Sequence, residues 1–306
     1  MREIIDVLDL LDDARIDGAA VGEFLRSAGA TETHVERVRG EQGSTDFVRT
    51  TIEPEEETGA TLGIIGRLGG IGARPHRLGL VSDADGAIVA LACAAKLAKM
   101  ADRGDRLSGR VIVATHVSPR SPIIAHEPTP FMGSPVDMAE MNRREVDPRM
   151  EAILSVDATK GNWILNRRGI AITPTIKEGY ILPVSPNLLE IVRHVTGEPP
   201  AVLPIATQDV IPYAAGFDHV NSILQPATAT SAPVVGVSTT AAIPVPGCAS
   251  GANDPFSLDQ AARFCVATAL AFTDGRCRFF DEEAFARLVE RYGPMTHLQG
   301  LGREES

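Results

Sequence analysis

Short apolar runs alternate with amphipathic segments along most of this chain. The runs are rich in β-branched and aliphatic residues, which predicts buried strands at residues 62–65, 111–114, 153–156, 201–205 and 233–238. Apolar residues at helical spacing predict helices over 83–100, from Ser185-Pro186, and from a capping box at Ser257-Leu-Asp-Gln260. This alternation predicts a three-layer α/β/α fold with a mostly parallel or mixed central sheet.

Two parts of the chain differ from this alternating pattern, the N-terminal part and residues 118–150. Residues 1–29 predict two amphipathic helices, and residues 33–53 predict two strands joined by a turn at 40–44. We therefore expect an N-terminal unit of helices and strands at residues 1–56 and an α/β core at residues 57–300. Residues 118–150 are rich in Pro, Met and charge, and we expect a long excursion there rather than regular structure.

Composition narrows the class of protein. The chain has 306 residues, of which 44% are hydrophobic, so it can bury a sizeable core. Its net charge of −11 and its 5% aromatic content disfavour nucleic acid or an anionic membrane as a partner. The start of the chain predicts a charged amphipathic helix rather than a signal peptide, and four scattered cysteines form no metal-binding spacing. We expect a cytoplasmic protein that acts on a small molecule.

Polar residues at the ends of the predicted strands are the first candidates for chemistry. Asp83 and Asp85 open a helix, where carboxylates favour the positive end of the helix dipole, and His116 ends the next strand. In open α/β sheets, ligands bind outside the carboxyl ends of the strands. A capping role is the simpler interpretation of Asp85, whereas Asp83 is compatible with capping or with ligand binding.

Histidine and carboxylate from separate loops are the usual ligands of a catalytic zinc ion. On this basis we predict a divalent-metal site, with zinc as the expected ion and Glu127 as the candidate general base. The predicted metal ligands are Asp83, His116, His126, Asp157 and His219. The alternative is that these residues are ordinary polar groups with local partners.

A second set of residues could bind the substrate. Arg67 and Arg74 flank a glycine-rich loop that has no phosphate-binding fingerprint, and either could clamp a carboxylate. Thr159, Lys160 and Asp209 lie in polar segments near predicted strand ends and complete this set. Cys248 is a candidate nucleophile, although a small buried residue in a turn is the more common role for such a cysteine.

Several longer motifs resemble a bacterial and archaeal family of about this length that carries only a domain-of-unknown-function label. They are Thr-Leu-Gly-Ile-Ile-Gly-Arg-Leu-Gly-Gly-Ile-Gly, Gly-Leu-Val-Ser-Asp-Ala-Asp-Gly-Ala, Ser-Val-Asp-Ala-Thr-Lys-Gly-Asn, Pro-Thr-Ile-Lys-Glu-Gly-Tyr-Ile-Leu and Val-Pro-Gly-Cys-Ala-Ser-Gly-Ala. The resemblance extends from about residue 40 to residue 275. It implies no activity.

The order of elements is also similar to the dinuclear-zinc exopeptidases, the aminopeptidase superfamily with a phosphorylase/hydrolase-like core. That resemblance implies that Asp83 bridges two metals and that Asp157 is a second carboxylate ligand. Three motifs depart from it: the superfamily's His-x-Asp is replaced by Gly66-Arg67-Leu68, its Glu-Glu by Thr115-His116, and its late His by residues 244–248. The ligand set is therefore rebuilt from other residues, or the chemistry differs.

These observations leave three hypotheses. The first is a metal-dependent hydrolase of an amide bond in a small peptide-like or cyclic amide substrate. The second is a metal-free enzyme, or a protein that binds an anionic metabolite, on a degenerate aminopeptidase-like scaffold. The third is a structural subunit that makes contacts through residues 119–149. By analogy with the superfamily we expect a homo-oligomer.

Overall fold

A mixed β-sheet organises this protein, for which we describe a computed structural model. The structure describes residues 1–54, 56, 58–127, 130–213, 216–217, 221–248 and 250–301. The strands are β1 (Glu32–Gly40), β2 (Gly43–Ile52), β3 (Leu62–Gly66), β4 (Val111–Val117), β5 (Ile123–Ile124), β6 (Phe131–Met132), β7 (Ala152–Ala158), β8 (Gly169–Ile172), β9 (Thr175–Lys177), β10 (Tyr180–Leu182) and β11 (Val234–Thr240). The helices are α1 (Arg2–Asp12), α2 (Gly18–Ser27), α3 (Asp85–Asp102), α4 (Met138–Glu145), α5 (Pro186–Thr196), α6 (Pro255–Thr273) and α7 (Glu282–Tyr292).

Within the described residues, nine strands form the main sheet in the order β1-β2-β4-β3-β7-β11-β9-β10, with β8 beside β11. The central strands β4, β3, β7 and β11 are parallel, and the flanking pairs are antiparallel. β5 and β6 form a separate hairpin. The predicted α/β fold with a mixed central sheet is confirmed.

Helices cover one face of the sheet. The alanine-rich helix α3 packs on β3, β4 and β7, and α1 and α6 pack on α3. Its small side chains allow a close approach to the strands, and most of its residues are buried.

The opposite face is covered mainly by loops, α4 and two short 3₁₀ turns at residues 207–210 and 225–228. Its core cluster includes Ile65, Ile112 and Ile153 from the strands and Ile223 and Leu224 from the covering segment. The candidate site lies at the carboxyl edge of this face.

Three local predictions are wrong. Residues 118–150 contain β5, β6 and α4, the last begun by the N-cap Asp137, so they are not free of regular structure. Residues 201–205 form one bridge, between Val202 and Ile172, because Pro204 cannot donate to a strand ladder. Helix α6 is capped by Asp254 instead of the capping box at Ser257.

The N-terminal strands extend the main sheet. β2 pairs with β4 over seven residues, from Asp46 opposite Val117 to Ile52 opposite Val111. The boundary predicted between residues 56 and 57 thus falls between two strands of one sheet. No helix among the described residues is both long enough and apolar enough to cross a membrane.

Candidate functional site

The carboxyl ends of the parallel strands place a row of polar residues on one face of the sheet. The register pairs Ser238 with Asp157, and Gly66 with both Val156 and Thr115, so Arg67 extends the same row beside Asp157 and His116. Helix α3 connects β3 to β4, whereas β7 lies on the other side of β3. Such a reversal of strand order opens a crevice where α/β proteins bind ligands.

Helix α3 is seated tightly against this crevice through a glycine. A Cβ atom at Gly86 would lie 1.9 Å from the Arg67 carbonyl oxygen and 2.5 Å from that of Val156. The first turn of α3 therefore approaches the ends of β3 and β7 more closely than any larger residue would permit. This contact fixes Asp83 and Asp85 at the edge of the sheet.

Asp85 is a buried structural hub. Its carboxylate pairs with the Lys160 ammonium, which also donates to the Ala252 carbonyl oxygen at 2.6 Å. The Asp85 carboxylate also accepts hydrogen bonds from Thr239 Oγ1 and Asn253 Nδ2, both at 2.7 Å. Lys160, predicted to bind substrate, is instead directed into the protein and ties β7 to α3.

Arg67 is likewise engaged inside the protein. Its guanidinium donates to Asn142 and lies 3.2 Å from Glu145 Oε2, and its side chain is fully buried. Glu145 Oε1 lies 2.6 Å from His116 Nδ1, so one carboxylate from α4 serves both residues. Arg67 and His116, predicted for substrate and metal respectively, thus share a buried network with α4.

Asp157 and Asp83 differ from Asp85, which pairs with Lys160. Among the described residues, neither Asp157 nor Asp83 forms an ion pair with a lysine or an arginine. Asp157 accepts hydrogen bonds at 2.7 Å from Ser222 Oγ and from the Ala158 amide. Burial raises the pKa of Asp157 to about 6, against the opposing effects of those bonds and of Arg67.

Asp83 has the more strongly perturbed carboxyl. Its amide donates to the Gly247 carbonyl oxygen at 3.0 Å, and a Cβ at Gly247 would lie 1.9 Å from Asp83 Oδ1. Burial, followed by the negative charges of Asp157 and Asp85, raises the pKa of Asp83 to about 8. The charge of Asp157 therefore acts on Asp83, and we refer to these two predicted ligands as the carboxylate pair.

Two further residues at this pair were not anticipated from the sequence. Ser222 orients Asp157, and Tyr213 hydrogen-bonds Ser222. Burial and the charge of Asp157 raise the pKa of the Tyr213 phenol, which keeps it protonated and able to donate. Both lie in a loop segment between α5 and β11, where no periodic pattern marks them.

Neither the predicted ligand His126 nor the predicted general base Glu127 has a described contact with the pair. His126 is exposed and stacks on Phe131 with ring centroids 3.7 Å apart, and Glu127 is also exposed. His219 lies outside the described residues. Their predicted roles stay untested.

The described residues fit a metal ion only in part. They contain no group of three or more His, Cys, Asp and Glu side chains arranged to hold one. Asp83 and Asp157 nevertheless supply two buried carboxyl groups, and neither forms an ion pair with a lysine or arginine among the described residues. Carboxylate oxygens suit magnesium or manganese better than zinc, which favours imidazole and thiolate.

The remaining candidates have local partners. Arg74 donates to the Asp12 carbonyl oxygen at 2.9 Å, and Thr159 pairs with Ser238. Asp209 accepts the amides of Ala206 and Asn221 at 2.8 and 2.9 Å and thereby closes a loop. Cys248 is buried, and burial with the charge of Asp83 raises its thiol pKa to about 11, which disfavours a thiolate nucleophile.

Taken together, the fold and this geometry define an α/β protein with a buried carboxylate pair at the carboxyl edge of a mixed sheet. Residues 36–302 match the model of a family described as "Protein of unknown function (DUF1177)", and the chain belongs to that family. The predicted membership of an uncharacterised family is confirmed, over a longer span than expected. No curated protein matches the chain.

Solved structures share the fold. One is described as the bottromycin maturation enzyme BotP in complex with Mn, with a TM-score of 0.52 and 15% sequence identity. The match covers 87% of this chain and 71% of that one. At this identity the likeness establishes the α/β architecture alone.

Proposed function

We propose that this protein is a divalent-metal-dependent hydrolase that cleaves an amide bond in a small peptide-like or cyclic amide substrate. The observation that carries the proposal is the Asp83–Asp157 pair at the strand-order reversal. Two buried carboxylates whose charges interact repel each other unless a cation or a proton neutralises them. A divalent cation is the simplest neutralising partner, and BotP, which shares the fold, is described with Mn.

The chain's own residues would hold and orient the reacting groups. Asp83 and Asp157 would provide oxygen ligands, and Ser222 with the Ala158 amide fixes the direction of the Asp157 carboxylate. The Tyr213 hydroxyl, kept protonated, is a donor placed beside Asp157. A bound divalent ion would polarise the amide carbonyl and lower the pKa of a bound water.

We infer manganese or magnesium rather than the zinc that the sequence suggested. The two carboxylates supply only oxygen, and His116, the imidazole in the same strand-end row, lies in the buried network of Glu145 and Arg67 without a described contact to either carboxylate.

A metal-free enzyme is the second candidate. The same pair supports it, because carboxyl pKa values of about 8 and about 6 leave one group protonated and the other ionised at neutral pH. Such a split is how paired carboxylates act as acid and base. The alternative of an anion clamp at Arg67, Arg74 and Lys160 loses support, since all three are engaged within the protein.

Metal content and turnover test the two candidates together. Chelator-treated protein is reloaded with Mn²⁺ or Zn²⁺, dialysed, and analysed for bound metal, and a panel of dipeptides and cyclic amides is screened for hydrolysis. We expect about one or two equivalents of Mn²⁺ and activity that depends on it. The Asp83→Asn and Asp157→Asn variants should lose both.

Asp105→Asn is the matched control, because Asp105 is an exposed carboxylate in the loop between α3 and β4, at the opposite edge of the sheet. Full metal binding by Asp83→Asn would disprove the metal site as proposed. Hydrolysis that persists in chelator and is lost in Asp83→Asn would establish the metal-free acid–base enzyme instead.

A further inference from the structure

The arginines predicted to clamp a substrate are held by the protein, but two others are presented near the site. Arg67 pairs with Glu145, and Arg74 lies against Asp12. Arg77 and Arg120 are both exposed, and neither guanidinium has a hydrogen bond or ion pair with the rest of the described chain. Both belong to segments that follow parallel strands, Arg77 after β3 and Arg120 after β4.

Backbone contacts bring these two arginines together. Ala73 forms an antiparallel bridge with Arg120, and the Arg77 amide donates to the Ala73 carbonyl oxygen at 3.0 Å. Bridge partners have Cα atoms about 5 Å apart. The backbones of Arg77 and Arg120 therefore both lie next to Ala73.

A short chain of contacts connects Ala73 to the carboxylate pair. Ala73 packs with Cys248 in a small apolar cluster, and Gly247, the neighbour of Cys248, lies against the Asp83 carboxylate. The charge of Arg77 acts on the Cys248 thiol, as does that of Asp83. The backbones of both arginines are therefore connected to Asp83 through Ala73, Cys248 and Gly247.

We infer that Arg77 and Arg120 bind a carboxylate of the substrate, so that the hydrolysed amide belongs to a molecule that also carries a carboxylate. This inference rests on the proposed function for its site and extends it to a substrate class. Guanidinium groups bind carboxylates through paired, charge-assisted hydrogen bonds. In a chain of net charge −11, two exposed cations beside the crevice also offset the repulsion that an anionic substrate would meet.

The test uses succinate as a carboxylate probe and metal-free full-length protein, so that no metal can bind the probe. Isothermal titration calorimetry at low salt compares wild type with Arg77→Gln/Arg120→Gln. The control is Arg103→Gln/Arg106→Gln, which removes two exposed arginines at the opposite edge of the sheet. We expect at least about tenfold weaker binding in the first variant only, which corresponds to ~1.4 kcal/mol.

Several outcomes would overturn the inference. They are no succinate binding by wild type, equal losses in the two double variants, and tighter binding of inorganic phosphate than of succinate.

A second experiment separates this inference from the proposed function. If an amide is hydrolysed, Arg77→Gln/Arg120→Gln should lower kcat/KM for the dipeptide Ala-Ala and leave its C-terminal amide unaffected. If nothing is hydrolysed but succinate binding follows the arginines, the hydrolase proposal fails and the carboxylate site stands.

Discussion

The buried pair of Lys160 and Asp85 allows a quantitative test of the site's framework. Both side chains are almost completely buried, at 1% and 0% exposure. Lys160→Met keeps the length of the side chain and removes its charge. The Asp85 carboxylate then retains two neutral donors, Thr239 Oγ1 and Asn253 Nδ2, and no cation.

The expected cost follows from this geometry. Removing one partner of a buried ion pair destabilises a protein by about 3–5 kcal/mol, because the remaining charge stays desolvated. The two neutral hydrogen bonds to Asp85 place the loss at the lower end, about 3 kcal/mol. Asp85→Asn should cost a similar amount, since it leaves the Lys160 ammonium with the Ala252 carbonyl oxygen.

Urea denaturation followed by far-UV circular dichroism measures these losses. The only tryptophan, Trp163, is 71% exposed and would report poorly on the core. In the double variant Lys160→Met/Asp85→Asn the two costs should not add, and we expect it to be at least about 2 kcal/mol more stable than their sum predicts. A loss below about 1 kcal/mol for Lys160→Met, or simple additivity, would refute the structural role of this pair.

Three other predictions follow from the same region. Gly86→Ala should destabilise the protein by about 1–3 kcal/mol in the same assay. Overpacking of the new methyl group against two carbonyl oxygens outweighs the gain of ~1 kcal/mol in helix propensity. The control variant Gly251→Ala should be close to neutral, because its Cβ would lie 3.6 Å from the nearest atom. The folded-state pKa of Asp83, about 8, exceeds its ordinary value of 3.8, so the metal-free folded state binds more protons than the unfolded state between these pH values. The free energy of unfolding should therefore fall as pH rises from about 4 to 8, and this slope should diminish in Asp83→Asn; an unchanged slope would contradict the assigned environment. Asp254→Ala should lower the free energy of unfolding by about 1 kcal/mol or more through loss of the α6 cap and of its Arg168 pair, and a neutral result would show that another residue caps the helix.

The sequence predicted the centre of the fold well for a physical reason. Parallel strands covered on both faces are continuous apolar runs, and β3, β4, β7 and β11 stand out for that reason. The short strands β8 to β10 lack such a run because they are only three or four residues long. Helix α7 was missed although its N-cap, Asp281, is a local signal that could have indicated it.

The sequence predicted only those site residues whose location follows from their position within a single helix or strand. Asp83 at a helix start and Asp157 at a strand end follow from the rule on strand ends, and in the structure the charge of Asp157 acts on Asp83. The burial of Arg67 could not be predicted, because it depends on Glu145, which is 78 positions further along the chain. Ser222 is similarly distant in sequence from Asp157, which it orients.

The buried ionisable residues at this edge of the sheet fall into two groups, those with an oppositely charged partner and those without one. Lys160 neutralises Asp85, and Glu145 neutralises Arg67, so each buried charge in these pairs stabilises a tertiary contact. Asp83 and Asp157 form no described ion pair with a lysine or arginine, and burial raises the pKa of both, so ionising either group costs free energy in the folded protein. Such a cost is characteristic of sites that bind or transform a ligand, and the ligand's charge determines how it is relieved. A cation would relieve it directly. If the proposed metal binds here, Asp83→Asn should lower the metal content and, in the metal-free protein, also diminish the stability slope with pH.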